Sequence, residues 1–523
     1  MKPEESPPSN QTPMRDIVAY STGDGALSLM INSFFSFTFI YYTEAIGLDP
    51  EWTGAALGAA TLWDAITDPL MGHVTDNTRS RFGRRHPYIL LGGLLMAICF
   101  YGVWAVPSSL QDPIHIFWYL VVMNLLLRTA TTIFGVPYIA LGFEVCTDYR
   151  QRTTLQGVRN GLNMAVNLLG PALLGWSVFL RDTTGPDGEE IRGTTNPQNF
   201  ENMAITFSII GCAFILYMCF ATRKYVVDTR QADYGASRGL GALLANLWSV
   251  LADRMARWVF VFIAVMFLAN VLVTAVQMFI YLNYMEFGSF QKTFVHGSTM
   301  VAAGLGALAC ARLVTLMEKR PAIYVSLAFA CFGNIMLLVL FSTGILGPQT
   351  TWGAFPIALV CFALFHPCYH AGVSAANTIA HSMMADISEL NMYKTGVLKD
   401  GSYSAMLTFV LKVAIAGGFY LCGKVLGAVG YVQKAEVQAP GVMDNLFIVA
   451  FLGGILILAA SAICIKFYPV TAAYMDEMRK AHGKDQPPAH LDSPAEIIPS
   501  AATEVAYDSE LESDDADENG KNQ

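Results

Sequence analysis

The sequence predicts an all-α membrane protein built from twelve transmembrane helices in two six-helix halves. The first observation is composition: 54% of the 523 residues are hydrophobic and only 14% are charged, whereas soluble domains carry about 25% charged residues. Apolar runs of about 20 residues also recur along the chain, and each can cross a hydrocarbon core of ~30 Å as a helix. The third observation is a polar connection at 223–257 that separates six such runs from six others.

Twelve spans follow from the apolar runs and the polar breaks between them. We place them at 24–46, 52–74, 87–107, 115–145, 155–180, 202–222, 257–285, 293–317, 322–346, 352–381, 402–430 and 443–468. Six spans on each side of one long connection are typical of pseudo-symmetric transporters. We therefore expect a first bundle at 15–222, a central cytoplasmic loop at 223–256 and a second bundle at 257–468.

The distribution of Lys and Arg predicts the orientation. The even-numbered loops hold sixteen of these residues and the odd-numbered loops hold four, and cationic residues accumulate on the cytoplasmic side of a membrane. We expect a multi-pass plasma (inner) membrane protein with both termini in the cytoplasm. Residues 1–14 would form a short cytoplasmic segment, and residues 469–523 an acidic, disordered cytoplasmic tail.

The acidic tail accounts for the charge of the whole chain. Residues 491–523 hold ten Asp and Glu residues and one Lys, which equals the formal net charge of −9. Such a tail is typical of a solubilising segment or of a segment that binds a partner. No basic face appears, which excludes nucleic acid as an expected partner. The ten cysteines show no CxxC and no zinc spacing, so we interpret them as packing residues.

The sequence Trp63-Asp64-Ala65-Ile66-Thr67-Asp68-Pro69 lies within the second span. An aspartate near the bilayer centre costs ~3 kcal/mol on insertion scales. Asp64 and Asp68 are four residues apart, so both carboxylates project from one helix face. They could bind a hard monovalent cation with help from the Thr67 hydroxyl, or share a proton. The alternative is a pair of ion-paired aspartates that only stabilises packing.

The connection between the second and third spans, residues 72–85, combines an acidic residue with clustered arginines. We predict that Asp76, Arg81, Arg84 and Arg85 pair with helix ends and hold a cytoplasmic gate closed. The alternative interpretation is an ordinary positively charged cytoplasmic loop.

The connection at 72–85 resembles the signature of the major facilitator superfamily. Together with the motif at 63–69, it resembles the glycoside-pentoside-hexuronide:cation symporters, the family of melibiose permease. The resemblance covers about residues 15–468. It implies a major facilitator-type fold and secondary active transport by alternating access, with a coupling cation and no cofactor.

The resemblance also implies the residues of a cation site. Asp64 and Asp68 would be the coupling carboxylates, and Thr132 of the fourth span would contribute an oxygen. Thr67 stands where melibiose permease has an asparagine, so the choice between Na⁺ and H⁺ stays open.

The residues of a substrate site follow from the same resemblance. Asp24 matches a sugar-binding aspartate of the first span, and Arg159 matches the sugar-site arginine of the fifth. Thr408 and Lys412 match the polar pair of the eleventh span. Gly135 stands where melibiose permease has a second sugar-binding aspartate, so the resemblance does not imply galactoside binding through paired carboxylates.

Two basic residues within the spans each have two interpretations. Arg128 lies four residues before Thr132 on one helix face. It could neutralise Asp64 or Asp68, or it could bind an anionic substrate group in a bidentate manner. Lys412 could form a structural ion pair, or it could occupy the empty cation site and link cation loading to conformation.

Three histidines of the tenth span region, His366, His370 and His381, have no HExxH motif around them. We interpret them as packing or capping residues rather than metal ligands, with roles in gating or proton coupling left open. No nucleophile, metal or phosphate-binding constellation indicates an enzyme.

The expected function is uptake of a glycoside, oligosaccharide or hexuronide, driven by inward movement of Na⁺ or H⁺. The expected partners are a sugar or sugar acid, a monovalent cation and the lipid bilayer. A cation-coupled carrier of lysolipids or other amphiphiles is an alternative, because the sodium-coupled lysolipid transporters resemble this family. A non-transporting sensor that signals through its tail is a second alternative.

Overall fold

A computed structural model describes residues 12–146, 149–184, 190–226, 241, 248–353, 355–396, 399–435, 437–468 and 470–482. The chain divides into two compact units, Met1–Thr471 and Ala472–Gln523. The described part of the second unit contains one helix, α13 (Ala472–His482). The acidic segment at 491–523, and most of the central loop expected at 223–256, lie outside the described residues.

The first half of the larger unit holds six long helices and a two-stranded hairpin. The helices are α1 (Met14–Ile40, continued as a π-helix over Tyr41–Ile46), α2 (Pro50–Asp76), α3 (His86–Trp104), α4 (Pro113–Val145), α5 (Tyr149–Asn167, continued as a π-helix over Leu168–Phe179) and α6 (Pro197–Thr222). Strands β1 (Thr183–Thr184) and β2 (Glu190–Ile191) pair antiparallel between α5 and α6.

The second half holds six further helices. They are α7 (Arg254–Phe279, continued over Ile280–Tyr284), α8 (Ser289–Met317), α9 (Lys319–Leu337, continued over Leu338–Ser342), α10 (Ile357–Thr395), α11 (Asp400–Ala428) and α12 (Val442–Ile465).

We call the side where α2 ends and α3 begins the arginine-rich side, and the side where α1 ends and α2 begins the opposite side.

Short sequence signals start three helices on the opposite side. The side chains of Asp49, Asp112 and Asn196 accept hydrogen bonds from backbone N–H groups at the starts of α2, α4 and α6. A proline follows each of these residues. Proline at the first helical position has no N–H to leave unpaired, and an Asp or Asn cap satisfies a free donor. These Asx-Pro pairs therefore fix where the three helices begin.

Among the described residues, eleven helices are long and apolar enough to cross a membrane. The twelfth, α2, is 27 residues long and carries Asp64 and Asp68 near its middle. The prediction of an all-α fold with twelve long helices in two halves is therefore confirmed.

Two of the predicted spans are shorter than the helices that contain them. Helix α1 begins at Met14 instead of residue 24, and α10 continues to Thr395 instead of residue 381. The extra turns are polar, and their carboxylates are paired. Asp16 accepts hydrogen bonds from Lys224 (2.5 Å) and Tyr225 (2.9 Å). Asp386 likewise accepts from Lys319 (2.5 Å), so ion pairing extends helices that apolarity alone would end.

The two halves meet closely where α2 packs against α11. A Cβ atom on Gly54 would lie 2.5 Å from the carbonyl oxygen of Phe419, and one on Gly423 would lie 2.6 Å from that of Pro50. Only glycine permits so close an approach of two helix backbones, as in other membrane helix pairs. This contact positions the middle of α2 next to the middle of α11.

Candidate cation and substrate site

The middle of α2 carries a group of oxygen atoms. Asp64 is buried, with 6% of its surface exposed. The Thr132 hydroxyl of α4 lies 2.9 Å from Asp64 Oδ1 and 2.8 Å from Asp68 Oδ1. Thr67 Oγ1 lies 3.2 Å from Thr132 Oγ1. One hydroxyl has a single proton to donate, so these carboxylate oxygens retain capacity to accept a cation or a proton.

Lys412 of α11 reaches this group from the other half of the protein. Its Nζ lies 3.0 Å from Asp64 Oδ2 and 2.5 Å from Asp68 Oδ2. It also donates to the backbone carbonyl of Asp64 at 3.2 Å. The lysine therefore bridges both carboxylates. It forms an ionic contact between α2 and α11 in the middle of both helices.

Arg128 of α4 provides a second positive charge beside Asp64. Its side chain is buried, with 4% of the residue exposed, and its Nη1 lies 4.0 Å from Asp64 Oδ2. Its guanidinium carbon lies 4.6 Å from the ring centre of Phe35, and Nε and Nη2 have no hydrogen-bond partner among the described residues. Two carboxylates and two cationic side chains thus balance within this site, although Arg128 uses few of its donors.

Asp24 and Arg159 form a second ion pair between α1 and α5. Arg159 Nη2 donates to Asp24 Oδ1 at 3.2 Å, and Nη1 donates to Gln156 at 3.1 Å. The guanidinium lies 5.3 Å from the ring centre of Tyr138, which stacks on Tyr20. The guanidinium of Arg128, which lies beside Asp64, is 5.2 Å from the ring centre of Phe34 on α1. Ten residues of α1 separate Asp24 from Phe34, which corresponds to about 15 Å along the helix axis. The Asp24 pair therefore lies nearer the arginine-rich side than the Asp64 group does.

Thr408 lies one turn from Lys412 on α11 and is exposed. Its hydroxyl donates to the carbonyl of Ser404 on its own helix at 3.1 Å. The structure thus groups Asp64, Asp68, Thr67, Thr132, Arg128 and Lys412 in one cluster and Asp24 with Arg159 in another, while Thr408 contacts neither through the hydrogen bond described here.

Comparison with known proteins identifies the family. A family model described as "MFS/sugar transport protein" matches residues 19–472. The chain belongs to this family. The resemblance inferred from the motifs at 63–69 and 72–85 is therefore confirmed, and so is the major facilitator-type fold.

Several relatives are similar to this chain over most of its length. YagG of Escherichia coli, named for glycoside/cation symport, is 24% identical over 503 residues, covering 95% of this chain and 100% of that protein. The glucuronide carrier protein homolog of Escherichia coli is 24% identical over 472 residues, covering 88% of this chain and 94% of its own. The solved structure of the nucleoside transporter NupG aligns with a TM-score of 0.58 at 12% identity, over 87% of this chain and all of that one. That likeness shows the fold.

The predicted gating arginines bind a residue that the sequence analysis missed. Arg84 Nη2 lies 2.9 Å and Arg85 Nε 3.0 Å from Glu144 Oε1, at the end of α4. The Arg81 guanidinium stacks on the neighbouring Phe82 ring, and the side chain of Asp76 lies outside the described part of the chain. Arg84 and Arg85 therefore contact the end of α4 within the first half, and their role in a gate stays a prediction. Glu144 follows a long apolar run, which is the signal that could have found it.

The opposite side carries contacts between the halves that the sequence analysis also missed. The Tyr431 hydroxyl, after α11, donates to Glu44 at the end of α1. Asn283 donates to Tyr431 at 2.8 Å and accepts from Arg192 at 2.6 Å. Burial raises the pKa of Tyr431 well above its ordinary value, and the nearby Glu44 raises it further. The Tyr431 hydroxyl thus keeps its proton, and remains a donor, at neutral pH.

A second polar contact joins the halves on the same side. Lys292 of α8 lies 2.8 Å from Asp182, and the Ser289 hydroxyl donates to the same carboxylate at 3.0 Å. The ion pairs described near the arginine-rich side, such as Arg84–Glu144 and Lys319–Asp386, each lie within one half. The halves are therefore held together by polar contacts at the opposite side and at the level of Lys412.

Proposed function

We propose that the protein is a secondary active symporter that couples inward movement of Na⁺ or H⁺ to uptake of a glycoside, oligosaccharide or hexuronide. The observation that carries the proposal is the position of Lys412 between Asp64 and Asp68. A cationic side chain from one half occupies the oxygen site of the other half, where a monovalent cation would bind. Membership of a sugar transport family supports this interpretation.

Cation binding would act by exchange with Lys412. The carboxylates of Asp64 and Asp68 and the hydroxyls of Thr132 and Thr67 supply the oxygen ligands that a hard cation prefers. Both carboxylates are already balanced by Lys412 and Arg128. An arriving cation therefore competes with the ammonium group, and the α2–α11 contact weakens when Lys412 leaves. Loading of the site would thus change the association of the two halves, which is what alternating access requires.

Substrate binding would use the Asp24–Arg159 pair. A carboxylate accepts hydrogen bonds from sugar hydroxyls, and a guanidinium donates hydrogen bonds to the same hydroxyls. The aromatic rings of Tyr20 and Tyr138 lie beside the Asp24–Arg159 pair. Arg128 would either stay the counter-ion of Asp64 or direct its unpaired Nε and Nη2 to an anionic sugar group. The names of the relatives, glycoside/cation symport and glucuronide carriage, support a sugar or sugar acid as the substrate class.

Coupling requires that each ligand strengthen binding of the other by the same factor. The proposal includes residues 15–222 and 257–468 as the moving halves, residues 223–256 as the cytoplasmic connection between them, and both termini in the cytoplasm. The side closed by Tyr431 and Lys292 would then face outward, and the described conformation would be open to the cytoplasm.

The test is uptake by purified protein in liposomes, with an inward Na⁺ or H⁺ gradient and labelled neutral glycosides, glucuronides or lysolipid. We expect gradient-driven uptake of at least one sugar and none of lysolipid. Asp68→Asn should abolish the dependence on the cation, because it removes one of the two carboxylates. Asp444→Asn is the matched control, since Asp444 is an exposed acid at the start of α12. Lysolipid uptake without sugar uptake, or unchanged cation dependence in Asp68→Asn, would overturn the proposal.

A further inference from the structure

A cluster of neutral polar side chains, three of them buried and one half-buried, lies in the second half, apart from both ion-pair sites. Gln277 of α7 accepts hydrogen bonds from His366 (2.8 Å) and His370 (3.1 Å) of α10. His296 of α8 is 3% exposed and lies near enough for electrostatic interaction with both. We call Gln277, His296, His366 and His370 the histidine cluster.

The hydrogen bonds to Gln277 determine which nitrogen atoms carry protons. An amide oxygen only accepts, so both histidines donate to it from Nε2. The Nδ1 atom of neutral His366 is then an acceptor, and within the described part of the chain it has no partner although His366 is fully buried. The cluster thus holds a fixed, unused acceptor.

His296 and Tyr281 add unused donors and acceptors. Of the residues that the structure describes, none is a hydrogen-bond partner of either ring nitrogen of His296 or of the fully buried Tyr281 hydroxyl. The Tyr281 ring centre lies 6.2 Å from that of His366. Buried polar groups are nearly always hydrogen-bonded in native proteins. So many unpaired groups in one place indicate a site for a ligand that both donates and accepts.

The chemistry of the cluster favours a neutral ligand with hydroxyl groups. Its described hydrogen bonds involve imidazole and amide groups, and the nearest charged side chain along α8, Lys292, is held by Asp182. A proton or other cation bound here would find no carboxylate partner among the hydrogen bonds and ion pairs of the described residues, and burying such a charge is costly. A hydroxyl is both donor and acceptor. The Phe362 and Phe451 rings, 5.1 and 5.7 Å from His366, offer apolar faces to a sugar ring.

The cluster lies beside the interface of the two halves. Phe279, two residues after Gln277, packs edge to face on Phe39 of α1. Gly297, next to His296, faces Leu168 of the first half, since a Cβ atom there would lie 3.3 Å from the Leu168 side chain. Gln277 is 23 residues from the start of α7, and Asp24 is ten residues from the start of α1. At 1.5 Å per residue, the cluster lies about 20 Å nearer the opposite side than Asp24 does.

We infer that the histidine cluster is a second binding subsite for hydroxyl groups of a neutral glycoside, separate from Asp24 and Arg159. This inference rests on the proposed function. The subsite would be reached from the opposite side once the contacts of Tyr431 and Lys292 open, so it would receive the substrate before the Asp24–Arg159 pair does.

The experiment measures glycoside binding to the purified full chain by thermal stabilisation and by uptake into liposomes. The probes are methyl β-D-glucopyranoside, methyl β-D-xylopyranoside and raffinose, and the one that stabilises the unmodified protein most is used further. His296→Phe keeps a ring of similar size but removes both nitrogens. We expect its Kd and KM for the glycoside to rise about tenfold, the loss expected from one or two hydrogen bonds, with an unchanged half-saturating cation concentration. His296→Gln, which keeps a donor and an acceptor, should restore part of the affinity.

Controls separate failure of this inference from failure of the proposed function. His381→Phe changes an exposed histidine of α10, the helix that also carries His366 and His370. This control should leave Kd and KM unchanged. Gln277→Met replaces His296→Phe if that variant does not fold. If the protein binds a glycoside, and Asp24→Ala weakens that binding while His296→Phe and Gln277→Met do not, the second subsite is wrong. If the unmodified protein neither binds nor transports any glycoside, the proposed function fails, and the subsite fails with it.

Discussion

The two halves of the protein contribute different chemistry to the same interior. The first half carries the three carboxylates Asp24, Asp64 and Asp68 and the arginines Arg128 and Arg159. The second half contributes the ammonium group of Lys412 to this site, and elsewhere it carries neutral groups such as those of the histidine cluster. A site built wholly in one half could bind a cation without changing the contact between the two halves. Because Lys412 crosses the interface, the ionic state of the first half determines how firmly the second half is held.

The largest expected effect comes from removing the charge of Asp64. In Asp64→Asn, the buried guanidinium of Arg128 loses its nearest carboxylate, and an uncompensated buried charge costs about 3–5 kcal/mol. We expect a large fall in the thermal unfolding temperature of the purified protein. The control Asp444→Asn should change stability by less than about 0.5 kcal/mol, as is usual for surface sites. Equal unfolding temperatures for both variants would mean that Arg128 does not depend on Asp64.

Removing Arg128 tests the charge balance between the arginine and the two carboxylates of the first half. In Arg128→Met, the carboxylates lose one of two balancing charges, so they should attract a cation more strongly. We expect the half-saturating cation concentration for uptake to fall by about tenfold, which corresponds to a shift of one pKa unit from a neighbouring charge. If Arg128 binds an anionic substrate group, glucuronide uptake is also lost while neutral glycoside uptake remains. No change in cation dependence or in glucuronide uptake would contradict both roles.

The smallest expected effect concerns the contacts that close the opposite side. Tyr431→Phe removes the hydroxyl that joins Glu44 to Asn283, a loss of about 1 kcal/mol. The opposite side should then open about fivefold more often, which hydrogen–deuterium exchange at residues 41–46 and 280–287 would detect. Tyr420→Phe changes an exposed tyrosine of α11 and should leave the exchange unchanged. Identical exchange in both variants would show that Tyr431 does not hold the halves together.

Much of the fold could be predicted because hydrophobic runs and helix caps are local signals. Long apolar segments identified all twelve helices, and the four-residue spacing of Asp64 and Asp68 placed both carboxylates on one face. Helix ends were harder to predict. The polar turns of α1 and α10 continue because Asp16 and Asp386 find partners more than 60 residues away, and no pattern near either residue indicates those partners.

The candidate site was predictable only in part for the same reason. Thr132 and Lys412 lie 64 and 344 residues from Asp68, and family resemblance, not spacing, suggested that they belong near it. Arg128 was recognised as costly because a guanidinium within an apolar run requires a partner. Glu144, Tyr431 and the Asp182–Lys292 pair lie at helix ends or in loops, where a polar residue is ordinary and its partner depends on how distant segments of the chain pack together.

The most direct test of the account is whether Lys412 occupies the position of the coupling cation. Isothermal titration of the purified protein with Na⁺ at fixed pH, together with proton uptake measured in weak buffer, gives the affinity for either cation. In Lys412→Ala the competing ammonium group is gone, so we predict that the affinity for the coupling cation rises about tenfold or more while its effect on sugar binding disappears. An unchanged or weaker cation affinity, with sugar binding still dependent on the cation, would contradict the account.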